Sequence, residues 1–279
     1  DITYITMLKA CRSIGMPHIG QQIHDDIERC GLERDLAIGS TLVSMYAECG
    51  MLVKAEQALD KLPLRNAASW NPLIMGYAEH GSGEEALKCV ERMRVEGVSQ
   101  DGVTCIGSFT ACGNMGSANK GREIHAEAER KGFLESETSV GNALIHMYGK
   151  SHSQDKAQKV FDKLQNRNIV SWTTLMAGYV QVGESESVFC IFDRMISECI
   201  QPDPITFVVI LNACTRIGFL NKSETYFESM GKDYGIIPTV EHHGCMIDLL
   251  SRAGHLGKAV TRIVGMPLRA NVEVWRTLL

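Results

Sequence analysis

Apolar residues recur with helical spacing between Ala67 and Asp101. Trp70, Leu73, Ile74 and Tyr77 fall at i, i+3, i+4 and i+7; after the polar break His80-Gly81-Ser82-Gly83, a second stripe carries Ala86, Val90 and Met93. The pattern predicts two amphipathic helices joined by a turn. It returns between Ile169 and Asp203, where Ser171-Trp172, Gly178-Tyr179 and Arg194-Met195 stand 102 positions after Ser69-Trp70, Gly76-Tyr77 and Arg92-Met93. The chain therefore reads as an array of copies.

Aligning the copies divides the chain into repeats at 1–35, 36–66, 67–101, 102–137, 138–168, 169–203, 204–239 and 240–271, with a stub at 272–279. The repeats come in threes. The first, fourth and seventh share a Thr followed by Ala-Cys (Thr3 with Ala10-Cys11, Thr104 with Ala111-Cys112, Thr206 with Ala213-Cys214), the second and fifth share Met45-Tyr46 and Met147-Tyr148, and the third and sixth carry the Trp. Each repeat supplies two helices of about a dozen residues, too short to stand alone in water, so they must stack. Gly50, Gly81 and Gly254 fit the left-handed positions that stop a helix. His152 stands where Gly50 would align, which predicts a strained or rebuilt turn, and Pro72 is placed in the first turn of its helix, where proline is tolerated.

The expected fold is all-α, a right-handed superhelical solenoid of helix-turn-helix repeats whose first helices line one concave surface. Period alone admits tetratricopeptide and pentatricopeptide arrays. Composition narrows the function. No apolar run approaches the roughly 18 residues of a membrane span, so no membrane partner is expected. The ten cysteines include no C-x-x-C, and the recurring Ala-Cys pairs read as small packing residues of a reducing compartment rather than disulfides or zinc ligands. A net charge of −5 counts against a partner held mainly by phosphate attraction. The chain begins and ends inside repeats, as the middle of a longer protein would.

The sentences GSTLVSMYAECGMLVKAEQAL, SWTTLMAGYVQVGESESVFCIFDRM and HHGCMIDLLSRAGHLGKAV resemble the pentatricopeptide repeat family, and their order resembles its PLS subclass from plant organelles. On that resemblance the repeats run L, S, P, L, S, P, L2, S2, and 272–279 opens an E-type extension. The resemblance implies that each repeat presents one nucleotide of single-stranded RNA to two side chains, its fifth residue and its last. Carried over by position, Ser40 with Asn66 resembles the adenine pair, Asn71 with Asp101 the uracil pair, Asn142 with Asn168 a cytosine pair tolerating uracil, and Thr173 with Asp203 the guanine pair. Ile5, Ile106, Val208 and Gly244 offer no side-chain donor or acceptor at the fifth position, so the second to sixth repeats would read 5′-AUNCG-3′. Second-position residues Ala37, Ala68, Val103, Ser139, Val170 and Ile205 would sandwich the bases, with Ala68 and Ser139 offering less apolar contact than Val or Ile.

At the position where the family often sets a phosphate-facing cation, this chain has Ser13, Glu48, Glu79, Asn114, Lys150, Gln181, Arg216 and Arg252. Lys150, Arg216 and Arg252 are the candidate phosphate contacts; Glu48 and Glu79 would repel the backbone. The resemblance further implies the targeting module of a cytidine-to-uridine editing factor in a mitochondrion or chloroplast, with editing-complex proteins or a deaminase domain as partners and no catalysis, cofactor or metal in this chain. His125-Ala126-Glu127 matches H-x-E of zinc deaminases, but P-C-x-x-C is missing and His24 holds the same place in the first repeat, so a structural histidine is the better reading. Trp70 and Trp172 read as core rather than as base-stacking platforms, and His242-His243 as neighbours facing different ways. Ser, Asn and Asp at repeat ends also suit ordinary helix capping. The alternatives are a protein-interaction scaffold, which the acidic charge favours, and an RNA stabilisation or processing factor without editing.

Overall fold

A computed structural model describes residues 2–266, and every regular element among them is a helix. The chain folds as two compact units that divide between Ser151 and His152. In the N-terminal unit, α1 (Ile2–Ile14), α3 (Leu36–Glu48), α5 (Ala67–Glu79), α7 (Gly102–Asn114) and α10 (Thr138–Lys150) pack each on the next as one layer. The second layer holds α2 (Pro17–Arg29), α4 (Leu52–Asp60), α6 (Gly83–Val95) and α8 (Ala118–Arg130), and each bridges its own first helix and the following one. A four-residue helix that the periodicity did not reveal, α9 (Phe133–Ser136), sits against α8 and α10. In the C-terminal unit, α12 (Ile169–Val182), α14 (Pro204–Ile217) and α16 (Val240–Arg252) form the first layer, and α11 (Gln154–Lys163), α13 (Ser185–Ser197), α15 (Leu220–Lys232) and α17 (Leu256–Val264) the second. The stub 272–279, with Trp275, and the end of the eighth repeat lie outside the described residues.

Local chemistry sets the starts of the first-layer helices. Asn66, Asp101, Asn168, Asp203 and Thr239 each stand one residue before a helix and form reciprocal capping boxes with Ser69, Thr104, Ser171, Thr206 and His242. Such a cap stabilises a helix by about 1 kcal/mol and fixes its first residue. Glycines at positive φ, such as Gly50 at 73° and Gly81 at 80°, end the first helices of the second and third repeats. His152 takes the same conformation at 51°, and Cys199, which aligns with Gly97, takes it at 59°. Both side chains tolerate a backbone that costs an L-residue about 1–2 kcal/mol. Pro72 departs from expectation: it is the sixth residue of α5, in the second turn, where it withholds the N–H that Ala68 C=O would accept.

The layers meet through small residues and large apolar ones. A Cβ on Gly76 would lie 2.9 Å from Ala47 Cβ and 3.3 Å from its Cα, so only glycine lets α5 approach α3 this closely. Trp70, Trp172, Tyr46, Tyr148, Phe109 and Phe207 are buried in the core, and so are Cys11, Cys112 and Cys214. All ten cysteines are free. Over each tryptophan lies an arginine, Arg92 at 5.2 Å from the Trp70 ring and Arg194 at 5.4 Å from that of Trp172. The arginines are held by carboxylates of their own and neighbouring helices, Arg92 by Glu56, Asp60 and Glu96, and Arg194 by Asp162 and Glu198. The duplicated sentence thus builds the same lid over the core twice.

Candidate nucleic-acid interface

The first-layer helices carry the fifth residues, and the capping residue of the following helix supplies each partner. Asn71, Asn142 and Thr173 are each 8% exposed, so a short side chain at this place shows only its tip. Three residues earlier in each repeat the second positions stand out from the surface: Val103 is 47% exposed, Val170 50% and Ile205 64%, and Ala37, Ala68 and Ser139 are exposed as well. Within each unit, apolar side chains left in water accompany half-hidden polar ones.

At the third repeat the two candidate residues meet directly. Asn71 Nδ2 donates to Asp101 Oδ1 at 3.0 Å and Oδ2 at 3.1 Å. Asn71 Oδ1 accepts from the Thr104 hydroxyl at 2.7 Å, and Asp101 Oδ1 accepts the Thr104 N–H at 2.9 Å as the cap of α7. The amide cannot turn over without setting its oxygen against the carboxylate, so its orientation is fixed. Burial raises the Asp101 pKa, but hydrogen bonds from the Thr104 N–H, Asn71, the Thr104 hydroxyl and the Val103 N–H outweigh it and hold the carboxyl below its ordinary value. Asp101 is therefore ionised at neutral pH. In the sequence Thr104 is legible only as part of the recurring Thr-to-Ala-Cys signature; its role in orienting Asn71 is a through-space contact that spacing cannot reveal.

The other pairs are arranged differently. Asp203 caps α14 through Oδ1, which accepts from the Thr206 N–H at 2.8 Å and its hydroxyl at 2.7 Å, while Oδ2 has no protein partner among the described residues. Thr173 donates its hydroxyl back to the Ile169 carbonyl at 2.9 Å and makes no bond to Asp203. Ser40 likewise donates to the Leu36 carbonyl at 2.6 Å, while Asn66 caps α5 by accepting the Ser69 N–H at 3.0 Å. Asn168 caps α12 through the Ser171 N–H at 3.0 Å. Asn142 lies on α10 in the N-terminal unit and Asn168 in the C-terminal one. The capping role anticipated for these end residues is real, and it uses one oxygen of each.

Of the charged candidates, Lys150, Arg216 and Arg252 are exposed, and Arg252 Nε is bound to both Asp248 oxygens at 2.9 and 3.0 Å. Glu48 is not a bare carboxylate: Arg12, one helix away, lies 3.2 Å from it and compensates its charge. Asn114 is committed to the Ala78 carbonyl at 2.9 Å. Glu79 and Gln181 are exposed.

The H-x-E segment is structural in its geometry. His125 Nδ1 meets the Tyr148 hydroxyl at 2.9 Å and His24 meets Tyr46 at the same distance, with Glu129 and Glu28 each 3.5 Å from the other ring nitrogen. Glu127 pairs with Lys131 at 2.8 Å. No cluster of three or more potential metal ligands occurs among the described residues. Of the adjacent histidines, His242 is buried in the cap of α16, where Nδ1 accepts the Thr239 N–H at 3.1 Å and Nε2–H donates to the Pro204 carbonyl at 2.8 Å, while His243 faces Phe227.

That geometry requires a neutral His242, and burial lowers its pKa below the ordinary 6.5, against smaller raising effects of the Pro204 carbonyl and Glu241. Burial likewise lowers His24, His146 and His243. A depressed histidine pKa means that below 6.5 the unfolded chain binds protons the folded one refuses, so stability is full above that pH and falls as pH drops toward the folded pKa. The urea midpoint should therefore be lower at pH 5 than at pH 7.5, with a shallower dependence in His242→Gln; a flat profile in the unmodified chain would contradict this reading.

The PPR repeat family matches residues 167–216, and single PPR repeats match 68–98, 142–169 and 205–234. The chain is 35% identical over 283 residues to the chloroplastic pentatricopeptide repeat-containing protein CRR2 of Arabidopsis thaliana, covering 99% of this chain and 43% of that one. A chloroplastic/mitochondrial pentatricopeptide repeat-containing protein of the same plant is 35% identical over 281 residues, covering 99% and 44%. The chain thus spans less than half the length of either relative. Among solved structures it is similar in fold to the pentatricopeptide repeat protein PPR10 in complex with an 18-nt psaJ RNA element, with a TM-score of 0.77 at 17% identity over 100% of this chain and 42% of that one. PPR10 from maize gives 0.57 at 18% identity over 99% and 46%. With repeats of this wording on stacked helical pairs, the chain carries pentatricopeptide repeats.

Proposed function

We propose that this chain binds single-stranded RNA by sequence, one nucleotide per repeat, as the targeting module of an organellar cytidine-to-uridine editing factor of the PLS subclass. The chain itself does no chemistry; a deaminase on another domain or protein reaches a cytidine near the bound segment. The observation that carries the reading is the Asn71-Asp101-Thr104 network. It holds the Asn71 amide in one orientation, 8% exposed, beside a carboxylate held ionised. Uracil presents a carbonyl acceptor next to the N3–H donor, and that order matches the held amide; cytosine presents the reverse order and requires the amide to flip.

The remaining pairs follow from their own donors and acceptors. Asn142 and Asn168 each carry a donor and an acceptor on one amide and no charge, which accords with cytosine or uracil. Asp203 keeps one oxygen open for the two donors of guanine, N1–H and the exocyclic amine. Ser40 with Asn66 accords with adenine. Exposed Val103, Val170 and Ile205 supply flat apolar contacts between successive bases. A protein-interaction scaffold is the second reading, and the net charge of −5 favours it. Titration of fluorescent RNA containing AUNCG against the same RNA with purines and pyrimidines exchanged separates the two. Tighter binding of the first is expected; equal or absent binding overturns sequence reading.

A further inference from the structure

Thr104 stands in the first turn of α7, in the fourth repeat, yet its hydroxyl is spent on a residue of the third. The side chain is 1% exposed, so water offers its polar group nothing. Its oxygen accepts the Asp101 N–H at 3.2 Å, and its one proton has two acceptors in reach, Asn71 Oδ1 at 2.7 Å and Asp101 Oδ1 at 2.9 Å. Asp101 Oδ1 already accepts from the Thr104 N–H at 2.9 Å and from Asn71 Nδ2 at 3.0 Å, so the proton is better placed on the amide oxygen.

Other first-layer helices carry a hydroxyl at the same place and use it differently. Thr206 donates to Asp203 Oδ1 at 2.7 Å, and Ser69 to the Asn66 carbonyl at 2.8 Å. In both cases the fifth residue of the preceding repeat, Thr173 or Ser40, brings no amide and turns its own hydroxyl back onto its helix. At α7 the hydroxyl crosses to the neighbouring repeat because an Asn is there to accept it; at α5 and α14 it serves the cap alone.

We propose that Thr104 is a positioning residue for base choice: it sets the direction of the Asn71 amide, so that selection of uracil over cytosine in the third repeat is completed by a residue of the fourth. The proposal rests on the RNA-reading function above. Reversing the amide turns its oxygen toward the Asp101 carboxylate and takes that oxygen away from the Thr104 hydroxyl. Asp101 supplies one of these penalties and Thr104 the other, in surroundings nearly closed to water, where an unmade hydrogen bond is costly. The fourth repeat, with Ile106 at its own fifth place, selects no base itself and sharpens its neighbour's choice. The Asn71-Asp101 pair moved elsewhere without Thr104 would carry the preference and lose part of its strictness.

Thr104→Val keeps the shape and the backbone N–H that caps α7 but removes the hydroxyl. In competition between AUNCG and ACNCG RNAs, its preference for uracil should fall roughly three- to tenfold, the worth of one hydrogen bond, and Thr104→Ser should restore it. Ser69→Ala strips the corresponding hydroxyl from the cap of α5 and should leave the preference unchanged, whereas a role in capping alone would make the two variants alike. An undiminished preference in Thr104→Val, or an equal fall in Ser69→Ala, overturns the proposal. A chain that does not separate uracil from cytosine at all fails the reading function instead, and the amide is then followed in the free chain by NMR. The Asn71 side-chain amide resonances should be sharp in the unmodified and Ser chains and broadened in Thr104→Val; a Val spectrum like the unmodified one overturns the positioning role.

Discussion

Asn71→Thr should change the base preferred at the third repeat from uracil to guanine. The substitution removes the amide that occupies Asp101 from the side and frees its Oδ2, reproducing the state of Asp203, whose Oδ2 is open beside Thr173. The incoming hydroxyl has a place to donate, because Thr173 at the same position of α12 bonds to the carbonyl four residues earlier. Thr104 keeps the cap on α7 through its N–H. Folding should therefore be little changed, and a wrong base at one position costs about 1–3 kcal/mol, or roughly fivefold to 150-fold in affinity. Competition between AUNCG and AGNCG RNAs measures it. A variant that folds and still prefers uracil would show that the pair does not select the base. Asn71→Asp is a poorer test, because it sets a second carboxylate about 3 Å from Asp101, where like charges destabilise the fold before any RNA is added.

The repeat wording makes the helices legible, because each stripe of apolar residues at i, i+3, i+4 has one way to bury itself and each Asn or Asp before a Ser or Thr at the third position announces a cap. Less legible is whatever depends on atoms meeting across repeats. Asn71 and Asp101 can be paired by position, but nothing in the spacing says that they touch while Thr173 and Asp203 do not. Glu48 reads as repulsive in the sequence, yet Arg12 of the preceding first-layer helix compensates it. Pro72 is a first-turn residue only if its helix begins near Trp70; the Asn66 cap starts α5 five residues before the proline.

The largest loss of stability is expected from Trp172→Ala. The indole is fully buried, meets the Phe161 ring edge-on at 4.7 Å and lies under the Arg194 guanidinium, itself tied to Asp162 and Glu198. Emptying that space removes packing on three sides and should cost about 3–5 kcal/mol, read as a lower urea midpoint. Its N–H has no hydrogen-bond partner, so Trp172→Phe gives up volume without giving up a bond and should cost only about 1–2 kcal/mol. The pair of substitutions also decides what the residue does. Trp172 adjoins Thr173, and a ring that stacked on a base would lose several-fold in RNA affinity on changing to the smaller ring, with the preference at the adjacent nucleotide disturbed. A residue that serves the core should leave both unchanged in the folded Phe variant and show its whole effect in the melting of the Ala variant. Lost affinity with an unchanged urea midpoint in Trp172→Phe would move this side chain from the core to the interface.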